Sequence, residues 1–181
     1  MPYSFKSNKP MNLTILGIDP GTKEMGVAVL RGQQLLGSGV HTLRNGGRPR
    51  DVIDQARQII LSYIQEFTPS IVGIEKPLLV PTKRAALVSV IAQELHARAR
   101  EVGMKVIEIS PRDARRIVVG NPHAKKIDVA RAISGMKIEG LHVDAPKAPP
   151  HPVLGYRPKD KYWLHLFDAL AVAIAVGRIA R

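Results

Sequence analysis

Four side chains scattered along the sequence are of types that do chemistry together. Asp19 closes the apolar run Leu13-Thr14-Ile15-Leu16-Gly17-Ile18, and Pro20-Gly21 turns the chain directly after it. Glu75 closes a second such run, Ile71-Val72-Gly73-Ile74. His165 and Asp168 stand three residues apart in the most apolar stretch of the chain, a spacing that places both on one helix face. A carboxylate at the mouth of a strand buried on both faces is costly without a partner. If the two strands are parallel neighbours, a strand spacing of ~4.8 Å brings Asp19 and Glu75 to one sheet edge. At ~4 Å and an effective dielectric of ~20, the pair repels by roughly 4 kcal/mol, which a shared proton or a bound cation relieves. If the His165–Asp168 face meets the strand ends, four ligands converge. Carboxylates suit Mg2+ or Mn2+, and Mn2+ accepts a histidine well. Two ions held this way clamp a phosphodiester for hydrolysis, one activating water and the other stabilising the leaving 3′ oxygen. Each residue alone has a plainer role: Asp19 in a turn, Glu75 as a surface charge, His165 as a satisfied core histidine.

The elements that must position these groups follow from periodicity. After the strand Leu13–Asp19, Met25–Leu30 and Gln34–Val40 read as two strands joined at Arg31-Gly32. Apolar residues at Val52, Ile53, Ala56, Ile59, Ile60 and Ile64 predict a helix over Arg50–Phe67 with one buried face. Strand Ile71–Glu75 follows a helix and so is expected parallel to the first. A helix from about Lys83 to Val102 stops at Gly103, and Lys105–Ile109 is the fifth strand. Ser110-Pro111 opens a short helix, broken at Gly120-Asn121-Pro122-His123, and Ala124–Ser134 is helical again. Prolines dissolve the pattern from Met136 to Lys161, predicting a linker or surface lobe, and Leu164–Arg181 is the closing helix. The expected architecture is α/β: a five-stranded mixed sheet flanked by helices, in the order of the ribonuclease-H-like fold.

The 181 residues suffice for one compact domain, expected over 12–181 after a flexible arm at 1–11, with a Pro-rich insertion at about 144–158. The absence of cysteine excludes disulfides and thiolate metal sites. MPYSFKSNKP lacks the apolar core of a signal peptide, and His165, Asp168 and Arg178 make a packed helix the better reading of the last apolar stretch than a membrane span. The net charge of +12 draws polyanions to the surface. Between Lys76 and Lys126 there are 11 basic and 4 acidic residues, so +7 of that charge flanks the proposed site. Nucleic acid is the expected partner, with a salt slope of about −0.9 per phosphate neutralised on duplex DNA.

Three segments resemble the acidic motifs of the RuvC-type Holliday-junction resolvases. They are Gly17-Ile18-Asp19-Pro20-Gly21-Thr22, Ile74-Glu75-Lys76-Pro77 and His165-Leu166-Phe167-Asp168-Ala169-Leu170. The stretch from Pro111 through Arg115-Arg116-Ile117-Val118-Val119-Gly120 to Ala124-Lys125-Lys126 is similar to that family's basic region. The resemblance implies a homodimeric, Mg2+-dependent crossover junction endodeoxyribonuclease, with Mn2+ able to substitute, that nicks two opposed strands of four-way junction DNA. It implies Asp19, Glu75 and Asp168 as acidic ligands, with His165 where many members carry Asp, and Arg115 and Lys126 as the basic groups that meet the scissile phosphate. Lys76, Lys83, Arg84, Arg112, Arg116 and Lys125 are then expected to contact DNA. So are Leu78 and Leu79, aliphatic where the family often carries a junction-intruding aromatic. The Pro-rich stretch exceeds the family norm, and its Lys147, Arg157, Lys159 and Lys161 could follow a DNA arm. A branch-migration helicase is the further partner suggested, and a bacterial or phage-infected cytoplasm, or an organelle, the setting.

Competing readings are a YqgF-like nuclease acting on structured RNA, whose Asp-Glu-Arg-Leu-Thr pattern is missing here, and a junction-binding protein without catalysis. Actin-like kinases share the Asp-x-Gly-Thr opening but need two lobes.

Overall fold

The apolar run ending on Asp19 forms strand β1 (Thr14–Asp19), and every residue in it is buried. A computed structural model describes residues 13–44, 46, 48–78, 80–147 and 158–180. The expected N-terminal arm, Leu79 and most of the Pro-rich stretch lie outside the described residues. β2 (Glu24–Arg31) runs antiparallel to β1, and Gly32, at φ 63°, turns the chain into β3 (Gln34–Thr42). Helix α1 (Pro49–Phe67) leads into β4 (Ile71–Glu75), which lies parallel to β1 with Ile18 opposite Ile74. Helix α2 (Lys83–Glu101) leads into β5 (Lys105–Ile109), parallel to β4. Helices α3 (Pro111–Val119), α4 (Lys126–Gly135) and α5 (Pro158–Ile179) complete the chain, and the sheet order is β3-β2-β1-β4-β5.

Strand alternation sorts the core into two halves. Leu16, Ile18, Val27, Val29, Val72 and Ile74 face α1 and α2. Ile15, Ala28, Leu30 and Ile71 face the layer that holds α3, α4 and α5. The central strands also place glycines on this second face, and α5 lies directly on them. A Cβ added at Gly26 would stand 2.0 Å from the carbonyl oxygen of His165, and one at Gly17 2.3 Å from that of Ala169. At Gly73 it would meet Val176 Cγ2 at 2.8 Å. Small residues on both surfaces, with Ala169 and Ala173 on the helix, therefore set how closely α5 approaches the sheet. Although α5 is long and apolar enough to cross a membrane, most of its apolar residues are buried against the sheet, α3 and α4, as expected of a core helix.

Two expectations need correction. Helix α5 begins at Pro158, not Leu164, because proline fits a first helical turn, where a missing N–H costs nothing. The described part of the segment after α4 is irregular but is not a detached lobe. Ile138 is buried, and Leu141, Val143 and Ala145, alternating with exposed residues, pack onto the α5 side of the core. Glu139 exchanges backbone hydrogen bonds with the chain at the start of β3, at 2.8 Å to the N–H of Leu35 and 2.9 Å to the C=O of Gln33, and so covers the beginning of that sheet edge.

Candidate active site

The chain positions its acids by one repeated device. β1 ends Gly17-Ile18-Asp19 and β4 ends Gly73-Ile74-Glu75. In each the isoleucine points into the α1–α2 half of the core, while the glycine and the acid two residues on point toward α5. Parallel pairing of the strands puts Asp19 and Glu75 at adjacent strand ends. The Lys76 N–H donates to the Ile109 carbonyl at 2.8 Å and anchors the chain just past Glu75. From above, α5 delivers His165 and Asp168 to the same edge. His165 Nδ1 lies 2.7 Å from Asp19 Oδ2. Ligand atoms of Asp19, His165 and Asp168 all fall within 4.8 Å of one another. Glu75, half-buried, stands beside this triplet.

Two cations complete the cluster. Lys126, in the first turn of α4, donates from Nζ to Asp168 Oδ2. The Asp128 carboxylate accepts the Lys125 N–H at 3.1 Å, and buried Ile127, Val129, Ala130 and Ile133 hold α4 in place. Arg115 rides on α3, which Ser110 caps by accepting the Asp113 N–H at 3.0 Å. Arg178 ties α3 to α5 through the Ile117 carbonyl at 2.5 Å.

The electrostatics are those of crowded carboxylates out of water. Burial pushes the Glu75 carboxyl well above the ordinary range, and the charges of Asp19 and Asp168 push it further, against the pull of Lys126 and Arg115. Burial likewise raises Asp168, opposed by Lys126 and reinforced by Asp19. Burial disfavours the charge on Lys126, but the carboxylates of Asp168, Asp19 and Glu75 outweigh it and hold the ammonium charged above the usual lysine value. A divalent cation fits this site. The donors are hard oxygens and one imidazole, gathered with Asp19 and Asp168 buried and His165 half-buried, where added positive charge relieves the repulsion.

The remaining expected contacts spread outward. A cleft of about 260 Å³ opens beside Glu75, lined by Pro20, Lys76, Pro77, Leu78, Val80 and Arg84 among others. Leu78 is 68% exposed and Val80 51% exposed, on the loop before the Thr82 cap of α2. Lys83, Arg112 and Lys125 are exposed, and Arg116 is exposed but paired with Asp113 at 2.8 Å. Sequence reasoning passes over Glu24, whose Oε2 lies 3.7 Å from His165 Nε2. Its only sequence signal is that it shares a strand face with Gly26, two residues on.

A five-stranded mixed sheet in this order, with α1 and α2 on one face and α3–α5 on the other, is the ribonuclease-H-like fold. The family model for the crossover junction endodeoxyribonuclease RuvC matches residues 15–146. A RuvC of Pseudoalteromonas atlantica is 32% identical over 130 residues, 66% of this chain and 72% of the relative. One from Bacteroides fragilis is 30% identical over 127 residues, 67% of this chain and 68% of the relative. The structure of Thermus thermophilus RuvC in complex with Holliday junction substrate superposes with a TM-score of 0.72 at 25% identity, covering 93% of this chain and 95% of that one. The chain belongs to the RuvC family of crossover junction endodeoxyribonucleases. Dependence on a divalent metal goes with that membership, and the gathered donors suit it.

Proposed function

We propose that this protein cuts four-way DNA junctions with Asp19, Glu75, His165 and Asp168 as ligands to divalent ions, Mg2+ first and Mn2+ as substitute. The observation that carries the reading is the convergence of two strand-end acids with a histidine and an acid from α5, within a buried cluster whose charges repel. Ions bound there supply Lewis acidity to the attacking water and to the leaving 3′ oxygen, in the manner of a two-ion site. Lys126, held against Asp168, and Arg115, near Glu75, supply the positive charge that meets the scissile phosphate and its developing charge. The cationic rim of Lys76, Lys83 and Arg84, with Arg112, Arg116 and Lys125 on the α3–α4 side, steers the DNA backbone toward the site. Leu78, exposed at the cleft beside Glu75, then presses between unstacked bases at the junction centre, as an aliphatic side chain can. Symmetric cutting of two opposed strands calls for a homodimer with one site per copy. A branch-migration helicase is the natural further partner, and a bacterial cytoplasm the setting.

The test is purified protein on a synthetic four-way junction and a duplex control, with Mg2+, Mn2+ or chelator. Asp19→Asn and Glu75→Gln are expected to abolish cleavage and keep junction binding. Retained nicking with lost binding in either variant would overturn the ligand assignment.

A further inference from the structure

One carboxylate near the cluster has no part in the reading above. Glu24 opens β2 on the face that α5 covers, and β2 meets His165 twice. At Gly26 the strand abuts the His165 backbone carbonyl so closely that no Cβ fits between them. At Glu24 it presents Oε2 3.7 Å from the ring nitrogen Nε2. The opposite ring nitrogen, Nδ1, faces Asp19 Oδ2 at 2.7 Å, and His165 belongs to the triplet gathered with Asp19 and Asp168. The imidazole therefore stands between two carboxylates, one toward the cluster and one behind it.

A neutral imidazole carries one N–H, and whichever nitrogen keeps it cannot ligate. With Asp19 alone beside the ring, the proton is drawn to Nδ1, the nitrogen needed for a metal. We propose that Glu24 is a positioning residue that accepts a hydrogen bond from the His165 Nε2–H, so that Nδ1 presents its lone pair to a divalent ion shared with Asp19 and Asp168. The inference rests on His165 being a ligand, as proposed above. The gap exceeds hydrogen-bond range by less than ~1 Å. Glu24, half-buried at the start of its strand, closes it by a small side-chain rotation, or a water bridges it. Carboxylates behind a ligating histidine fix its tautomer and ring orientation, and their loss typically weakens metal binding by about 10- to 100-fold.

Titration calorimetry of the full chain with Mn2+, without DNA, tests this. Glu24→Ala is expected to weaken Mn2+ binding by about 10-fold or more. Glu24→Gln, whose amide oxygen still accepts a hydrogen bond from the Nε2–H, is expected to stay within about 3-fold of the parent, below that range. His165→Ala is expected to weaken binding, and adding Glu24→Ala to it should cost nothing further. Three results would overturn the positioning role: unchanged affinity in Glu24→Ala, an equal loss in Glu24→Gln, which would mark a bare charge effect, or a Glu24→Ala loss that persists without His165. If His165→Ala itself leaves affinity unchanged, the ligand assignment of His165 falls and this inference with it. If His165→Ala weakens binding and Glu24→Ala does not, only the inference falls.

Discussion

Replacing Gly26 by alanine asks how strictly the site depends on α5 lying against the sheet. The new Cβ would stand 2.0 Å from the His165 carbonyl oxygen, whereas ordinary contact begins near 3.4 Å. Strand and helix must therefore part by about 1.4 Å. The obstacle is helix backbone, which cannot swing aside as a side chain would. A shift of that size would stretch the His165–Asp19 contact from 2.7 Å to about 4 Å and carry Asp168 off with it. Misplacing catalytic groups by ~1 Å costs on the order of 10²-fold in rate. Overpacking of this kind also costs about 1–3 kcal/mol, or roughly 2–12 °C in melting temperature for a chain of this size. Junction cleavage by Gly26→Ala should thus fall at least about 100-fold while circular dichroism reports a folded protein. The matched control is Gly135→Ala at the end of α4, where a Cβ meets nothing within 4 Å, and rate and melting should hold or improve slightly. Near-parental cleavage and melting by Gly26→Ala would refute the argument that this close approach sets the site geometry.

Further outcomes follow from the charges. Arg115→Ala and Lys126→Ala should slow single-turnover cleavage more than they weaken junction binding; if both only weaken binding, these residues position the backbone and do not meet the reacting phosphate. Glu75 and Asp168 hold their protons to higher pH in the folded protein than in the unfolded chain. The folded state is therefore favoured at acid pH, and that advantage drains away as pH rises from the ordinary carboxylate range through the raised folded values. In chelator, melting temperature should fall as pH rises above the ordinary carboxylate range, and Mg2+ or Mn2+ should restore most of the loss at the upper end. Glu75→Gln should flatten the metal-free profile. A parental profile already flat in chelator would mean the carboxylates are not crowded as described.

The strands carrying Asp19 and Glu75 were legible because a strand covered on both faces must be apolar throughout, so an acid at its end stands out whatever lies far along the chain. The i, i+3 pair on the last helix was legible for a related reason, since two polar groups on one face of an otherwise apolar helix need partners. The Pro158 start of α5 was hidden because proline and the charged residues after it serve a loop and a first helical turn equally well. Packing of Ile138 to Ala145 was masked by the prolines beyond it. What the sequence determined by itself is which groups can bear charge and which local segments hold them. Only the tertiary structure decided that β1 and β4 are neighbours, that α5 crosses their ends at a distance set by Gly17, Gly26 and Gly73, and that Glu24 stands behind His165. Such contacts join residues as many as 146 positions apart, and no local periodicity encodes a distance between segments that meet only after the core has formed.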